Sequence, residues 1–276
     1  MTEKNMTLLP TARQRLRKQA PLVHCITNPI SINDCANGLL AVGARPIMAE
    51  HPEEVEEITA TAAALAVNLG NITDARMESM MRAGRKARDL EIPRIIDVVG
   101  TGCSRLRRTY AGQWIETCRP SVIKGNMAEI KTLWGDTVSS TGIDAGEKDQ
   151  LTRENLAANV SAAQKLARHT GAVILASGPT DLITDGETAF LVQNGSAQMG
   201  RLTGTGCMLG MLTAAFLTVL PPLSGALAAA VFFGVCGEEA QTSQGMGSFH
   251  VRLLDALDQL SDATLLERAR FTVWTP

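Results

Sequence analysis

The 276-residue chain carries 26 Lys plus Arg against 28 Asp plus Glu, a formal charge of −2 at pH 7. That balance supplies no field for nucleic acid or anionic lipid, and an apolar fraction of 45% excludes a disordered chain. With aromatics at only 4%, the core has to be built from Ala, Leu, Val, Ile and Met, which favours helices packed closely on a sheet.

In chain order, residues 11–19 read as a short amphipathic helix stopped by Pro21, and 22–26 as a strand. A helix over 32–42 ends at Gly43, in the residue's usual place after a helix. Residues 46–48 form a short extended piece. Glu53, Glu54, Glu56 and Glu57 follow Pro52 at a helix start, where acids complement the dipole. A buried strand follows over 63–68, and Thr73 caps a helix that ends near Asp89. The alternation repeats as strand 94–99, helix 105–117, strand 121–124, helix 127–134, helix 152–168 and strand 172–176. Residues 181–184 and 189–192 flank Asp185-Gly186, the turn chemistry of a β-hairpin. Helices over 205–220, 223–241 and 251–260 complete the chain.

This alternation predicts one α/β domain over 1–276, a mostly parallel sheet with helices on both faces and the hairpin at its edge. The apolar stretches on either side of Pro221-Pro222 are each shorter than the roughly 18–20 residues that span a bilayer. Residues 1–18 hold no apolar run of a signal peptide. Cys25, Cys35, Cys103, Cys118, Cys207 and Cys236 show neither a CxxC pair nor metal-ligand spacing. They are expected to be reduced thiols of a cytoplasmic protein.

In parallel sheets, sites form beyond the carboxyl ends of the strands, so chemistry is sought after Ile26, Met48, Val99, Lys124 and Ala176. Thr203-Gly204-Thr205-Gly206-Cys207 stands just before a long apolar helix. There, glycines admit close backbone approach and the free N–H groups of the first turn can hold an anion. Thr205 and Gly206 would line such an anion hole, and the same glycines would equally serve a tight turn into a buried helix. No GK[ST] ending follows, so this is not a Walker A loop. A dinucleotide reading of Gly204 to Gly210 lacks the acidic ribose ligand about 20 residues on. Cys207, in the first helical turn, reads either as a reactive thiol or as a small apolar packer.

Asp97, at a strand's carboxyl end, could hold Mg2+ through water or cap the next helix. Lys124 offers a cation for phosphates or a solvated surface charge. Glu129 offers a second carboxylate or a dipole-satisfying first-turn acid. Together with the Gly-rich helix start they form the parts of a phosphoryl-transfer site. Asn28 and Met48 offer a polar and a soft apolar contact suited to a small heteroaromatic ring, or an N-cap and core packing. His24, His51, His169 and His250 show no metal spacing and read as structural or surface residues.

The order of these motifs resembles the hydroxyethylthiazole kinase family of the ribokinase-like superfamily. The matching pieces are His24 to Asn28 with Asn33 and Asn37, Ala44 to Glu50, Asn68-Leu69-Gly70, Asp97 to Gly102, Lys124 to Glu129, Thr184-Asp185-Gly186 and Gly204 to Cys207. The resemblance implies a ribokinase-like three-layer sandwich. It implies transfer of the ATP γ-phosphoryl to the alcohol of 4-methyl-5-(2-hydroxyethyl)thiazole with Mg2+, in a homotrimer whose sites lie between subunits. By the same resemblance, Met48 and Gly204 contact the thiazole with Asn28 nearby, and Lys124 and Ser177 contact the nucleotide. Asp97 and Glu129 attend the metal. Cys207 stands where sugar kinases of the superfamily carry a catalytic Asp. The family usually has Arg at Lys124 and Pro at Val98, and many members have a Thr-Gly pair at Ser177-Gly178. A relative acting on hydroxymethylpyrimidine is the alternative within the class; an NAD(P)-dependent oxidoreductase and a non-catalytic binding module are the alternatives outside it.

Overall fold

The computed structural model describes residues 2–135 and 154–275, with side chains from Leu8 onward at the start of the chain. The chain alternates strand and helix from β1 (Leu22–Ile26) and α2 (Ile32–Ala41), through β2 (Arg45–Ile47), α3 (Val55–Thr61), β3 (Ala64–Asn68) and α4 (Asp74–Asp89). It continues with β4 (Arg94–Asp97), α5 (Arg105–Cys118), β5 (Val122–Asn126), α6 (Met127–Trp134), α7 (Leu156–Thr170) and β6 (Val173–Ser177). These strands lie parallel in the order β2-β1-β3-β4-β5-β6. Beyond β6 come the antiparallel strands β7 (Asp181–Thr184), β8 (Ala189–Val192) and β9 (Phe271–Val273).

The alternation of side chains along the central strands divides two cores. Ala64, Ala66, Ile95, Val122, Val173 and Leu175 enter one. Their neighbours Leu65, Val67, Ile96, Ile123 and Ile174 enter the other. The first core packs under α1 (Thr2–Gln19), α2, α8 (Thr205–Leu217), α9 (Pro222–Glu239), α10 (Met246–Gln259) and α11 (Asp262–Arg268). The second packs under α3 to α7. The result is the expected three layers, because a strand buried on both faces needs a helix layer on each. In α8 and α9 the apolar residues run round the whole helix, and Gly225 lets α9 approach Leu217 of α8 closely. No helix among the described residues is long and apolar enough to cross a membrane.

Several element bounds differ from the sequence reading, among them β4, which ends at Asp97, and α10, which starts at Met246. The hairpin is not the edge, since β9 pairs with β8 outside it. Three residues are too short to show a period of two, so β9 has no periodic signal. The seven-residue α11 before it gives an equally short one. Helix α1 runs back through Pro10 to Thr2, a continuation that proline disfavours but does not forbid. Thr152, from which a helix is expected, lies outside the described residues, and α7 begins at Leu156 after its N-cap Asn155. All six cysteines are free thiols.

Candidate active site

Strand register builds the site. Asn68 pairs with Asp97 and Asp97 with Lys124, so the ends of β3, β4 and β5 present three polar residues in one row. Two residues upstream the same row holds Ala66, Ile95 and Val122, which face the α8 layer, so the polar row faces α8 as well. Asp97 and Lys124 therefore belong to strands and not to loops. Lys124 is not a solvated surface residue: its Nζ donates to Asp97 Oδ2 at 2.9 Å, with side chains 6% and 2% exposed. Burial pulls the Lys124 ammonium down, but the charge of Asp97 and the hydrogen bond to it outweigh this, so the net shift is upward.

Helix α8 starts directly over this row. Gly204, its N-cap, adopts φ +88, and a Cβ there would lie 2.9 Å from Ser31 Cβ, so glycine is required. No side chain caps the helix. The first-turn N–H groups of Thr205, Gly206 and Cys207 thus remain available in the manner of an anion cradle. The Thr205 hydroxyl donates back to the carbonyls of Met199 and Leu202, so its contribution to an anion hole is its backbone. A Cβ on Gly206 would stand 3.1 Å from Lys124 Nζ, which puts the buried ammonium directly beneath the turn.

Cys207 is half-buried, and its Sγ accepts from Asn28 Nδ2 at 3.1 Å and Asn68 Nδ2 at 3.4 Å. Met48, just past β2, packs on the same core as Cys207. Glu129 closes a capping box on α6 with Asn126, and its two oxygens accept from Gly100 N and Asn126 N, each at 2.7 Å. Burial, and then the neighbouring Asp97 charge, push its carboxyl up to about 7 against these two bonds. Ser177 ends β6 beside Asn126 and donates to the Gly125 carbonyl at 3.3 Å.

Among the described residues no three His, Cys, Asp or Glu side chains converge as a metal cage. Asp97 and Glu129, which repel one another, and the unpartnered buried Thr101 hydroxyl in the β4–α5 loop form a donor set that would suit a hydrated hard cation such as Mg2+. His24 is structural, its ring nitrogens joined to Thr59 Oγ1 and the Ala49 carbonyl. His250 pairs with Asp34.

Two residues that the sequence reading gave no role emerge here. Asn68 is one. Arg76 is the other: buried on α4, it donates to the carbonyls of Thr27, Gly70 and Asn71 and so ties together the loops after β1 and β3. The available signal was its position, since a cation in the first turn of a helix opposes the dipole and needs another reason.

Asp181, buried at the start of β7, yields a pH prediction. Burial pushes its carboxyl up to about 7, against the Gly178 N–H bond and the pull of Lys124. A folded-state value above the unfolded 3.8 means that its contribution is fully present below that value and is lost as pH rises through 7. Asp181→Asn keeps the acceptor for Gly178 N–H. It should raise stability at pH 8 by on the order of 2–3 kcal/mol and change little near pH 4. Urea midpoints at both pH values check this, and a variant less stable than the parent at pH 8 would refute it.

A parallel sheet whose carboxyl edge gathers an acid, a cation and a glycine-rich helix start defines a phosphotransferase of the α/β kinase class. Residues 13–263 match the hydroxyethylthiazole kinase family, and the chain belongs to it. It is 46% identical over 258 residues to hydroxyethylthiazole kinase 2 of Clostridium botulinum strain Hall, covering 94% of this chain and 97% of that one. It is 36% identical to the hydroxyethylthiazole kinase of Methanobrevibacter smithii, covering 98% of each. The fold superposes on a hydroxyethylthiazole kinase protein from Pyrococcus horikoshii OT3 with TM-score 0.87 and 33% identity, covering 98% and 100% of the two chains. A Staphylococcus aureus pyridoxal kinase structure with AMP-PCP and pyridoxal, at TM-score 0.61 and 14% identity over 92% of this chain and 98% of that one, shares the fold alone.

Proposed function

We propose that the chain, as one catalytic domain over 1–276, transfers the γ-phosphoryl group of ATP to the hydroxyl of 4-methyl-5-(2-hydroxyethyl)thiazole, in thiamine salvage in the cytoplasm. The observation that carries this reading is the Asn68–Asp97–Lys124 row under the Gly204–Cys207 turn. Met48 and Gly204 border the thiazole with Asn28 beside them, while Lys124 and Ser177 serve the nucleotide. The backbone N–H groups of Thr205, Gly206 and Cys207 hold the charge that spreads over the transferring group, where phosphoryl transfer most needs it. Cys207 Sγ stands next to the attacking hydroxyl. Asp97 and Glu129 would hold Mg2+ through its waters, and the ion would neutralise phosphate oxygens.

In a coupled assay with Mg2+, the protein should release ADP in the presence of the hydroxyethylthiazole. Equal or faster turnover with hydroxymethylpyrimidine would transfer the assignment to the alternative alcohol.

We further propose a homotrimer with sites shared between subunits. Its support is apolar exposure: Ile30 is 60% exposed two residues from Asn28, and Leu40 of α2 and Val251 of α10 are 57% and 60% exposed on helices that pack together. Threefold closure buries such a face in every copy. Sedimentation should give a trimer, and a fully active monomer at assay concentration would refute the shared site.

A further inference from the structure

We propose that Asn28 and Asn68 form an amide clamp that fixes Cys207 Sγ in the site, which makes both of them positioning residues for phosphoryl transfer. The proposal rests on the reading of Cys207 as the group beside the attacking hydroxyl.

The network leaves the two amides one orientation. Asn28 Oδ1 accepts from the N–H groups of Ile30 and Ser31, both at 3.1 Å, so its Nδ2 is turned toward Asn68 and Cys207. Asn68 Oδ1 accepts from Gly70 N at 2.8 Å and from Asn28 Nδ2 at 3.2 Å. That leaves Asn68 Nδ2 for the sulfur. Gly70 is where the amides meet: a Cβ there would lie 2.9 Å from Asn28 Nδ2 and 2.9 Å from Asn68 Oδ1. Arg76 then fixes the frame, gripping the carbonyl of Thr27, next to Asn28, and that of Gly70, whose N–H donates to Asn68 Oδ1.

Stability alone does not account for this arrangement. Strand β3 is otherwise Ala64-Leu65-Ala66-Val67, wholly buried, and Asn68 is itself 0% exposed. A buried amide needs its hydrogen bonds made, and a thiol sulfur is a weak acceptor on which to make one. Two buried amides directed at one sulfur restrain its rotation about Cα–Cβ and set its distance from the cradle. Catalysis is sensitive to that distance, because a misplacement of about 1 Å can cost about 100-fold. The charged groups near the sulfur are Lys124 and, behind it, Asp97. The two amides are its neutral neighbours.

The test is a double-mutant cycle read with thiol reactivity. Asn68→Asp keeps the acceptor for Gly70 N and replaces the donor at the sulfur by an oxygen. In the parent it should lower kcat about 10-fold or more with both KM values little changed. In a Cys207→Ala background it should lower kcat less than about twofold, since the group it positions is gone. Separately, iodoacetamide modification of Cys207, followed residue by residue by mass spectrometry, should slow at least about threefold in Asn68→Asp while exposed Cys103 reacts as before. Additive losses in the cycle together with unchanged Cys207 modification would overturn the clamp. Parent-level turnover in Cys207→Ala would instead overturn the catalytic reading, and the modification rates would then decide the clamp alone. Should Asn68→Asp fail to fold, Asn68→Ser, whose hydroxyl is too short to bridge to the sulfur, gives the same readings.

Discussion

Lys124→Ala should destabilise the protein by about 3–5 kcal/mol, because it leaves the Asp97 carboxylate buried without its partner. The pair is held at 2.9 Å with both side chains almost wholly shielded from water, so solvent screening offers little relief. Removing both charges is a different experiment. In Lys124→Met with Asp97→Leu no charge is left uncompensated, and a large part of the lost stability should return, as is general when a buried pair gives way to apolar side chains. For a chain of this size the single variant should melt about 10 °C lower. The Lys124 ammonium is pulled down by burial but raised on balance by Asp97, so its contribution is intact at neutral pH and is lost only as pH climbs past the ordinary lysine range. In the proposed reaction the same variant should also raise KM for ATP. A variant with the parent's melting temperature and a raised KM would show that the pair serves only the nucleotide and not the fold.

That stability cost marks the border between what local sequence carries and what it does not. The strands β1, β3 and β6 are legible because mostly apolar runs of about five residues end at turn signals, and the three-layer fold follows from the alternation of strands with helices. Strand β2 contains Pro46 and β9 is three residues long, so neither carries a period, and the sequence pattern ends the sheet one strand short of β9. In the site, the Gly204–Cys207 turn is legible because glycines before an apolar run mark a helix start that can meet an anion. Asp97 and Lys124 are legible as candidates, but their union is not: 27 residues separate them, and only the β4–β5 register sets them side by side. Asn68 is hidden for the same reason. In sequence it is a polar residue closing an apolar strand, and its role appears only when α8, some 140 residues later, brings Cys207 onto it.

Gly206→Val and Cys207→Ala separate the two ways in which the turn before α8 can act. Backbone N–H groups stabilise charge whatever side chain sits at 207, whereas a general base has to be the side chain itself. A base contributes about 10²–10⁴-fold, and one lost donor of the oxyanion-hole type costs about 10²–10³-fold. The loose transition state of phosphoryl transfer asks little of a base, because the hydroxyl proton can leave late. Cys207→Ala should therefore slow kcat toward the low end of the first range, roughly 100-fold, and not abolish it. Gly206→Val acts on the cradle and on the cation beneath it together. Its Cβ would stand 3.1 Å from Lys124 Nζ, closer than an ordinary contact, and the branched methyls leave the ammonium to shift off Asp97 or the turn to lift off the sheet. In the proposed reaction either movement takes charge away from the transferring group, so kcat should fall at least about 100-fold. Thermal melts of both variants distinguish lost chemistry from lost fold. A folded Cys207→Ala without activity beside a Gly206→Val of near-parental rate would assign the chemistry to the thiol and leave the backbone cradle without a part in it.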